Sequence, residues 1–126
     1  HPDVAAVRLA VRRTLADALP PTATEDDPAT VVVACSGGAD SLALLAATVF
    51  EARRLPWRVV GATVDHGLRP ESAEEAAFVA ALCGDLGIPH AVLRPDEPIS
   101  GSLQAAVGPL RRGRVIAHAR SSSASS

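Results

Sequence analysis

The stretch VVVACSGGADSLALL, Val31 to Leu45, decides the fold of this chain. It opens with a short, continuously apolar run rich in β-branched residues, which is typical of a strand buried on both faces of a parallel sheet. Two glycines interrupt the apolar run, and apolar residues resume at helical spacing after Ser41. The pattern therefore predicts a strand, a glycine turn and a helix in direct succession.

Strand and helix signals alternate along the chain on both sides of this stretch. The predicted elements are a helix over residues 4–19, strands over 31–35, 57–64 and 91–93, and helices over 42–49 and 72–86. Ser72 and Glu75 form a capping box that places the start of the last helix at Ser72. The order predicts an α/β fold, a doubly wound, Rossmann-like parallel sheet of about three strands with helices on both faces. Ligands of such sheets bind beyond the carboxyl ends of the strands.

Charge divides the chain into an acidic body and a basic end. Residues 1–97 hold 8 Arg against 14 acidic residues, whereas residues 98–126 hold 4 Arg and no acid. Four arginines without neighbouring aromatics are more typical of a solvated end than of a nucleic-acid site.

No apolar run approaches the roughly 20 residues that cross a bilayer, so a cytoplasmic protein with no membrane partner is expected. Cys35 and Cys83 lie in apolar segments and are expected to be buried rather than redox-active.

The glycine turn has the chemistry of a phosphate site. Backbone N–H groups and the positive end of the helix dipole converge there, so anions bind readily. Gly37 and Gly38 let phosphate oxygens approach the backbone, while Ser36 and Ser41 offer hydroxyl donors. Asp40 is no phosphate ligand, and is expected instead to hold Mg²⁺ that bridges phosphate oxygens. The alternative is a plain glycine turn in which Asp40 or Ser41 only caps the helix.

Two motifs resemble known families. SGGADS, residues 36–41, resembles the SGGxDS signature of the PP-loop ATP pyrophosphatases, which cut ATP between the α- and β-phosphates to adenylate a substrate. VDHGLRPES, residues 64–72, resembles the tRNA(Ile)-lysidine synthetases in particular, since the GMP, NAD and asparagine synthetases and the tRNA thiolases share only the first motif. The resemblance implies an adenine nucleotide alpha hydrolase-like fold.

The resemblance also implies a reaction. In the tRNA(Ile)-lysidine synthetases, the wobble cytidine of tRNA(Ile) attacks the α-phosphate of ATP through its C2 oxygen, and pyrophosphate leaves. The amine of free lysine then displaces AMP. The expected cofactors are therefore ATP and Mg²⁺, and the expected partners are lysine and tRNA(Ile).

The site residues that the resemblance implies follow two strands. The implied ATP-binding residues are Ser36, Gly37, Gly38, Asp40, Ser41 and Val64. Asp40 is the implied catalytic residue and Mg²⁺ ligand, and the backbone at Val64 is implied to meet adenine. Asp65, His66 and Arg69 are expected to line the same cleft. For His66 the alternative is a purely orienting loop histidine, and for Arg69 a surface cation.

The resemblance is expected to end near Ala106. GSLQAA, residues 101–106, resembles the start of the next helix of the family, but Gly108 and Pro109 break that helix. The H-T-x-x-D-D-Q motif of the family is absent from the sequence. We therefore expect residues 1–106 to be the N-terminal part of a PP-loop ATP-binding domain, and residues 107–126 to be an atypical basic, Ser-rich tail, disordered or read out of frame.

Three other interpretations stay open from the sequence. The first is a nucleotide-binding remnant without ligase activity, and the second is another tRNA-modifying PP-loop enzyme. The third is an interaction module that uses its basic end and binds no nucleotide. ATP binding separates the first two from the third.

Overall fold

A computed structural model describes residues 2–35, 39–65, 70–94, 96, 98, 103 and 114–118. Helices and strands alternate through these residues, as the sequence predicted. The elements are α1 (Pro2–Ala18), β1 (Ala29–Cys35), α2 (Ala39–Ala52), β2 (Trp57–Val64), α3 (Pro70–Leu86), β3 (His90–Leu93) and β4 (Arg114–His118). No helix among the described residues is long and apolar enough to cross a membrane.

The strands form one parallel sheet in the order β3-β2-β1-β4. The register aligns Cys35 with Thr63 and Val64 with Leu93. The carboxyl ends of β1, β2 and β3 therefore meet along one edge of the sheet, which we call the carboxyl edge. The predicted α/β class and its parallel, Rossmann-like sheet are confirmed.

β4 is a described strand that the sequence did not predict. It pairs in parallel with β1, from Thr30 opposite Arg114 to Ala34 opposite His118, inside the segment expected to be an irregular tail. The sheet thus contains the three predicted strands and β4. The apolar run Val115 to Ala117 is too short to show a period in the sequence. Its backbone groups nevertheless find partners along β1, and that pairing depends on residues more than 80 positions away.

The helix ends follow proline and glycine. α1 ends at Ala18, two residues before the first of the two prolines that were predicted to stop it. α3 begins at Pro70, two residues before Ser72, so the predicted start at the Ser72 capping box is wrong. Proline suits the first position of a helix because its missing N–H has no intrahelical partner there. α3 ends before Gly87, which has a φ of 75°.

The two faces of β1 enter different parts of the core. Val31 and Val33 belong to a cluster with buried residues of α1, α2 and α3, whereas Val32 packs on the opposite face with Val60 and Leu103. Leu103 is helical and fully buried. Helical structure therefore lies against both faces of the sheet, as predicted.

Buried polar contacts hold α1 in place. The side chain of Glu51 in α2 has no exposed surface and accepts hydrogen bonds from Arg12 at 2.7 Å and Arg8 at 3.3 Å. The indole Nε1 of Trp57 donates to the backbone oxygen of Leu15 at 3.0 Å. These contacts fix α1 against α2 and against the first residue of β2.

Candidate nucleotide-binding site

The turn between β1 and α2 lies at the carboxyl edge. β1 ends at Cys35 and α2 begins at Ala39, while Ser36, Gly37 and Gly38 lie outside the described residues. Because only three residues separate the strand from the helix, the first turn of α2 directly follows the end of a buried strand. The predicted strand before these residues and the predicted helix after them are confirmed. Unpaired N–H groups of a helix N-terminus favour an anion at such a position.

Cys35 ties the two flanks of this turn together. Its Sγ donates weak hydrogen bonds to the backbone oxygens of Val33 at 3.7 Å and Ser41 at 3.9 Å. Burial raises the pKa of Cys35 to about 11, and burial also raises the pKa of Cys83. Both thiols therefore stay protonated at neutral pH, and neither is a nucleophile. The prediction of two buried, free cysteines is confirmed.

Asp40 and Ser41 differ sharply in exposure. Asp40 lies in the first turn of α2 with an exposed side chain, where a carboxylate also interacts favourably with the helix dipole. Ser41 is only 1% exposed. Solvent and cations can therefore reach the carboxylate of Asp40, whereas the hydroxyl of Ser41 is buried.

The donor set at this edge suits a cation that shares its ligands with phosphate. Among the described residues, no three His, Cys, Asp or Glu side chains gather into a metal-binding group. Mg²⁺ is commonly held by one or two carboxylates together with phosphate oxygens and water. The exposed carboxylate of Asp40, in the first turn of α2, matches this mode of binding rather than an all-protein cage.

The end of β2 forms the neighbouring part of the edge. Val64 lies one residue beyond the partner of Cys35 in the register and is 37% exposed. The N–H of Asp65 donates to the backbone oxygen of Leu93 at 2.8 Å, which extends the β2–β3 pairing past Val64. The structure thus brings Val64 and Asp65 beside the carboxyl end of β1. His66 and Arg69 lie outside the described residues.

Arg94 is a residue of this edge that the sequence reasoning missed. Its Nε lies 4.0 Å from Oδ2 of Asp65, and both side chains are substantially exposed. Arg94 directly follows β3 just as Asp65 directly follows β2. Ligands bind beyond the carboxyl ends of parallel strands, so the position of Arg94 directly after β3 could have identified it from the sequence.

Thr63 and His90 join β2 to β3 below the edge. Thr63 Oγ1 and His90 Nε2 are 3.0 Å apart, and Thr63 is 3% exposed. Burial lowers the pKa of His90, so the imidazole stays neutral at physiological pH. The pair was not predicted because its members are 27 residues apart and their contact depends on the sheet register.

Comparison with known proteins identifies the family. Residues 9–121 match the family profile described as a PP-loop domain. The chain belongs to the PP-loop domain family. The match continues past Ala106, where the resemblance was expected to end, and it includes β4.

Three curated relatives of the chain carry the name tRNA(Ile)-lysidine synthase. The protein from Thermobifida fusca is 48% identical over 94% of this chain and 33% of its own length. The relative from Methylobacterium sp. is 57% identical over 54% of this chain and 20% of its own length. The relative from Salinispora tropica is 51% identical over 75% of this chain and 27% of its own length. The predicted resemblance is confirmed, and the chain spans a third or less of the length of these relatives.

A solved structure supports the fold. The U34-tRNA thiolase NcsA from Methanococcus maripaludis aligns with a TM-score of 0.51 at 16% sequence identity, covering 71% of this chain and 30% of that protein. At this identity the likeness shows the fold alone. The fold is that of a PP-loop protein, as the SGGADS motif indicated.

Proposed function

We propose that this chain is the ATP-binding part of a tRNA(Ile)-lysidine synthase. The observation that carries the proposal is the 48% identity to a protein of that name across 94% of the chain. In the whole protein, ATP would activate the wobble cytidine of tRNA(Ile), and lysine would then replace AMP. ATP, lysine and tRNA(Ile) as ligands, and a cytoplasmic location, are parts of this proposal.

ATP would lie along the carboxyl edge, across the ends of β1 and β2. Its phosphates would bind the turn from Ser36 to Ser41, with backbone N–H groups as donors, and adenine would lie beside Val64. Two features support this orientation. The turn leads directly into the N-terminus of α2. Val64 is partly exposed at the end of β2, and neighbouring strands such as β1 and β2 lie about 5 Å apart. Since Ser41 is buried, we assign the phosphate contacts mainly to Ser36, Gly37 and Gly38.

Asp40 would hold Mg²⁺ against the phosphates. When bound, the ion would neutralise charge on the leaving pyrophosphate. The part played by the protein is to present an exposed carboxylate at the start of α2, close to the phosphate turn. Asp65 would line the neighbouring wall with Arg94 beside it, and His66 and Arg69 would extend that wall.

The chain spans only part of the length of its relatives, so we expect it to perform only part of the reaction. Because the chain spans about a third of the Thermobifida fusca relative, we expect it to bind ATP and to form no lysidine alone. We keep residues 1–106 as the proposed ATP-binding part and residues 107–126 as a separate segment whose reading frame is in question. If the chain binds ATP but forms no lysidine, either alone or within a whole synthase, it is the nucleotide-binding remnant without ligase activity. Absence of ATP binding with salt-sensitive tRNA binding would favour the interaction module.

A graft tests the function directly. Residues 9–106 would replace the matching residues of the Thermobifida fusca synthase, and incorporation of labelled lysine into a tRNA(Ile) transcript would be measured. We expect the graft to form lysidine and the Asp40→Asn graft to lose at least a hundredfold in rate. Asp85→Asn is the matched control, because Asp85 is exposed near the far end of α3 and should leave the rate unchanged.

Two results would contradict the proposal. A graft that binds ATP normally but forms no lysidine would exclude the synthase function for this chain. An Asp40→Asn graft as active as the Asp85→Asn graft would remove Asp40 from the site and leave the synthase function standing.

A further inference from the structure

Four arginines and one aromatic residue lie around the end of α2 that is remote from the carboxyl edge. We call them the basic α1–α2 surface. Its members are Arg8, Arg12, Phe50, Arg53 and Arg54. Each side chain is exposed or partly exposed. The helix α2 connects this surface to Asp40 at its other end.

A buried carboxylate holds two of these arginines in fixed positions. Glu51 has no exposed side-chain surface, and it accepts hydrogen bonds from Arg12 Nε and from Arg8 Nε and Nη2. Even so, the side chains of Arg8 and Arg12 are 39% and 48% exposed. Because their positions are set before any ligand arrives, a partner loses less side-chain entropy on binding them.

Phe50 adds an aromatic face to the same surface. The Arg8 guanidinium lies 4.1 Å from the centroid of the Phe50 ring, and Phe50 is 42% exposed. Stacking of this kind orients the guanidinium plane. Phe50 therefore helps Glu51 to hold the Arg8 guanidinium in place.

Arg53 and Arg54 extend the surface beyond the end of α2. Both are exposed, and the N–H of Arg54 donates to the backbone oxygen of Glu51 at 3.4 Å. The carboxylate of Glu51 forms ion pairs with Arg8 and Arg12. Guanidinium groups bind phosphate through two parallel hydrogen bonds, and four of them, on α1 and in the turn after α2, suit a polyanion better than a single anion.

The length of α2 sets how far the basic α1–α2 surface lies from the carboxyl edge, and therefore how long a polyanion must be to reach both. Asp40 and Glu51 are eleven residues apart in one helix, about 16 Å. We propose that the basic α1–α2 surface binds backbone phosphates of the substrate tRNA, in the stem adjoining the nucleotide that reacts at the carboxyl edge. This proposal rests on the proposed function, because it takes a tRNA as the substrate. Contacts to phosphates would position the RNA without reading its sequence.

The test uses the 126-residue chain and a fluorescent RNA hairpin with the sequence of the tRNA(Ile) anticodon arm. Anisotropy titrations at several salt concentrations would compare the unsubstituted chain with Arg53→Ala/Arg54→Ala, which leaves the Glu51 ion pairs intact. Arg13→Ala is the control, because Arg13 is exposed on α1 about 200° around the helix from the core residue Val11. Circular dichroism would establish that each variant is folded.

We expect the double variant to bind about tenfold more weakly, and the slope of log K against log salt to decrease by about 1.5. Arg13→Ala should bind like the unsubstituted chain, and a hairpin of scrambled sequence should bind equally well. No binding by the unsubstituted chain, an unchanged double variant, or an equal loss in Arg13→Ala would each overturn the proposal. Because this assay needs neither ATP nor lysine, its result is independent of lysidine formation by the graft.

Discussion

Substituting Gly61 by alanine should loosen the packing of α3 on β2, the strand that ends at Val64. Gly61 is buried in β2, and a Cβ added there would overlap Sγ of Cys83, a fully buried residue of α3. The same Cβ would meet Leu45 at 3.6 Å, an ordinary contact. The absence of a side chain at Gly61 therefore allows the close approach of α3 to the sheet.

The expected magnitude follows from these contacts. Overpacking a core costs roughly 1–3 kcal/mol, and replacing glycine by alanine in a strand recovers up to about 1 kcal/mol, so Gly61→Ala should destabilise by about 1–2 kcal/mol. Cys83→Ala alone should cost about 1 kcal/mol, because it leaves a small cavity. In the double variant the new methyl group occupies the space of the missing sulfur. Its destabilisation should be about 1 kcal/mol, well below the sum of the single effects.

Urea unfolding of the four proteins measures this coupling. Gly84→Ala is a control, since Gly84 lies in α3 with nothing within 4 Å of an added Cβ, and it should not destabilise. Additive effects in the double variant, or a Gly61→Ala protein as stable as the parent, would refute the proposed contact between α3 and β2.

Three further predictions concern the buried polar groups. Burial lowers the pKa of His90, so the unfolded chain takes up a proton at a higher pH than the native chain does. The free energy of unfolding should therefore fall as the pH is lowered below about 6.5. Urea titrations should show a weaker pH dependence for His90→Gln. Trp57→Phe removes the hydrogen bond to Leu15 and should cost about 1 kcal/mol, while a loss near zero would show that the bond contributes nothing. Cys35, whose pKa burial raises to about 11, should react with a thiol reagent only at the rate of unfolding, and fast labelling of the native chain would contradict its burial.

Local signals in the sequence determined most of the fold. The apolar run before Ser36, the strand that ends at Val64 and the prolines after Ala18 all predicted elements that the structure confirms. β4 was missed because Val115 to Ala117 is short and its pairing with β1 is nonlocal. The start of α3 was misplaced because Pro70, and not the polar residue at Ser72, begins the helix.

The candidate site was predictable where a motif follows a strand. Asp40 was assigned from its position after the first strand and Asp65 from the resemblance of residues 64–72 to a known family, and the structure places both at the carboxyl edge. Arg94 was missed because it belongs to neither motif and its relation to Asp65 appears only when β3 is placed beside β2. The basic α1–α2 surface was equally hidden, since it unites residues of two helices about 40 positions apart. The out-of-frame origin of residues 107–126 stays a prediction, which the coding DNA read in all three frames would test.

Calorimetric titration with ATP and Mg²⁺ tests the central claim, that the turn between β1 and α2 binds the phosphates of ATP. The comparison is between the parent chain, Gly38→Val, whose side chain would occupy the approach of the phosphate, and Gly84→Val, which adds the same side chain at an exposed position of α3. We predict that the parent and Gly84→Val bind ATP with equal affinity, while Gly38→Val binds none and retains the helix content of the parent. Equal ATP binding by the parent and Gly38→Val would contradict the account.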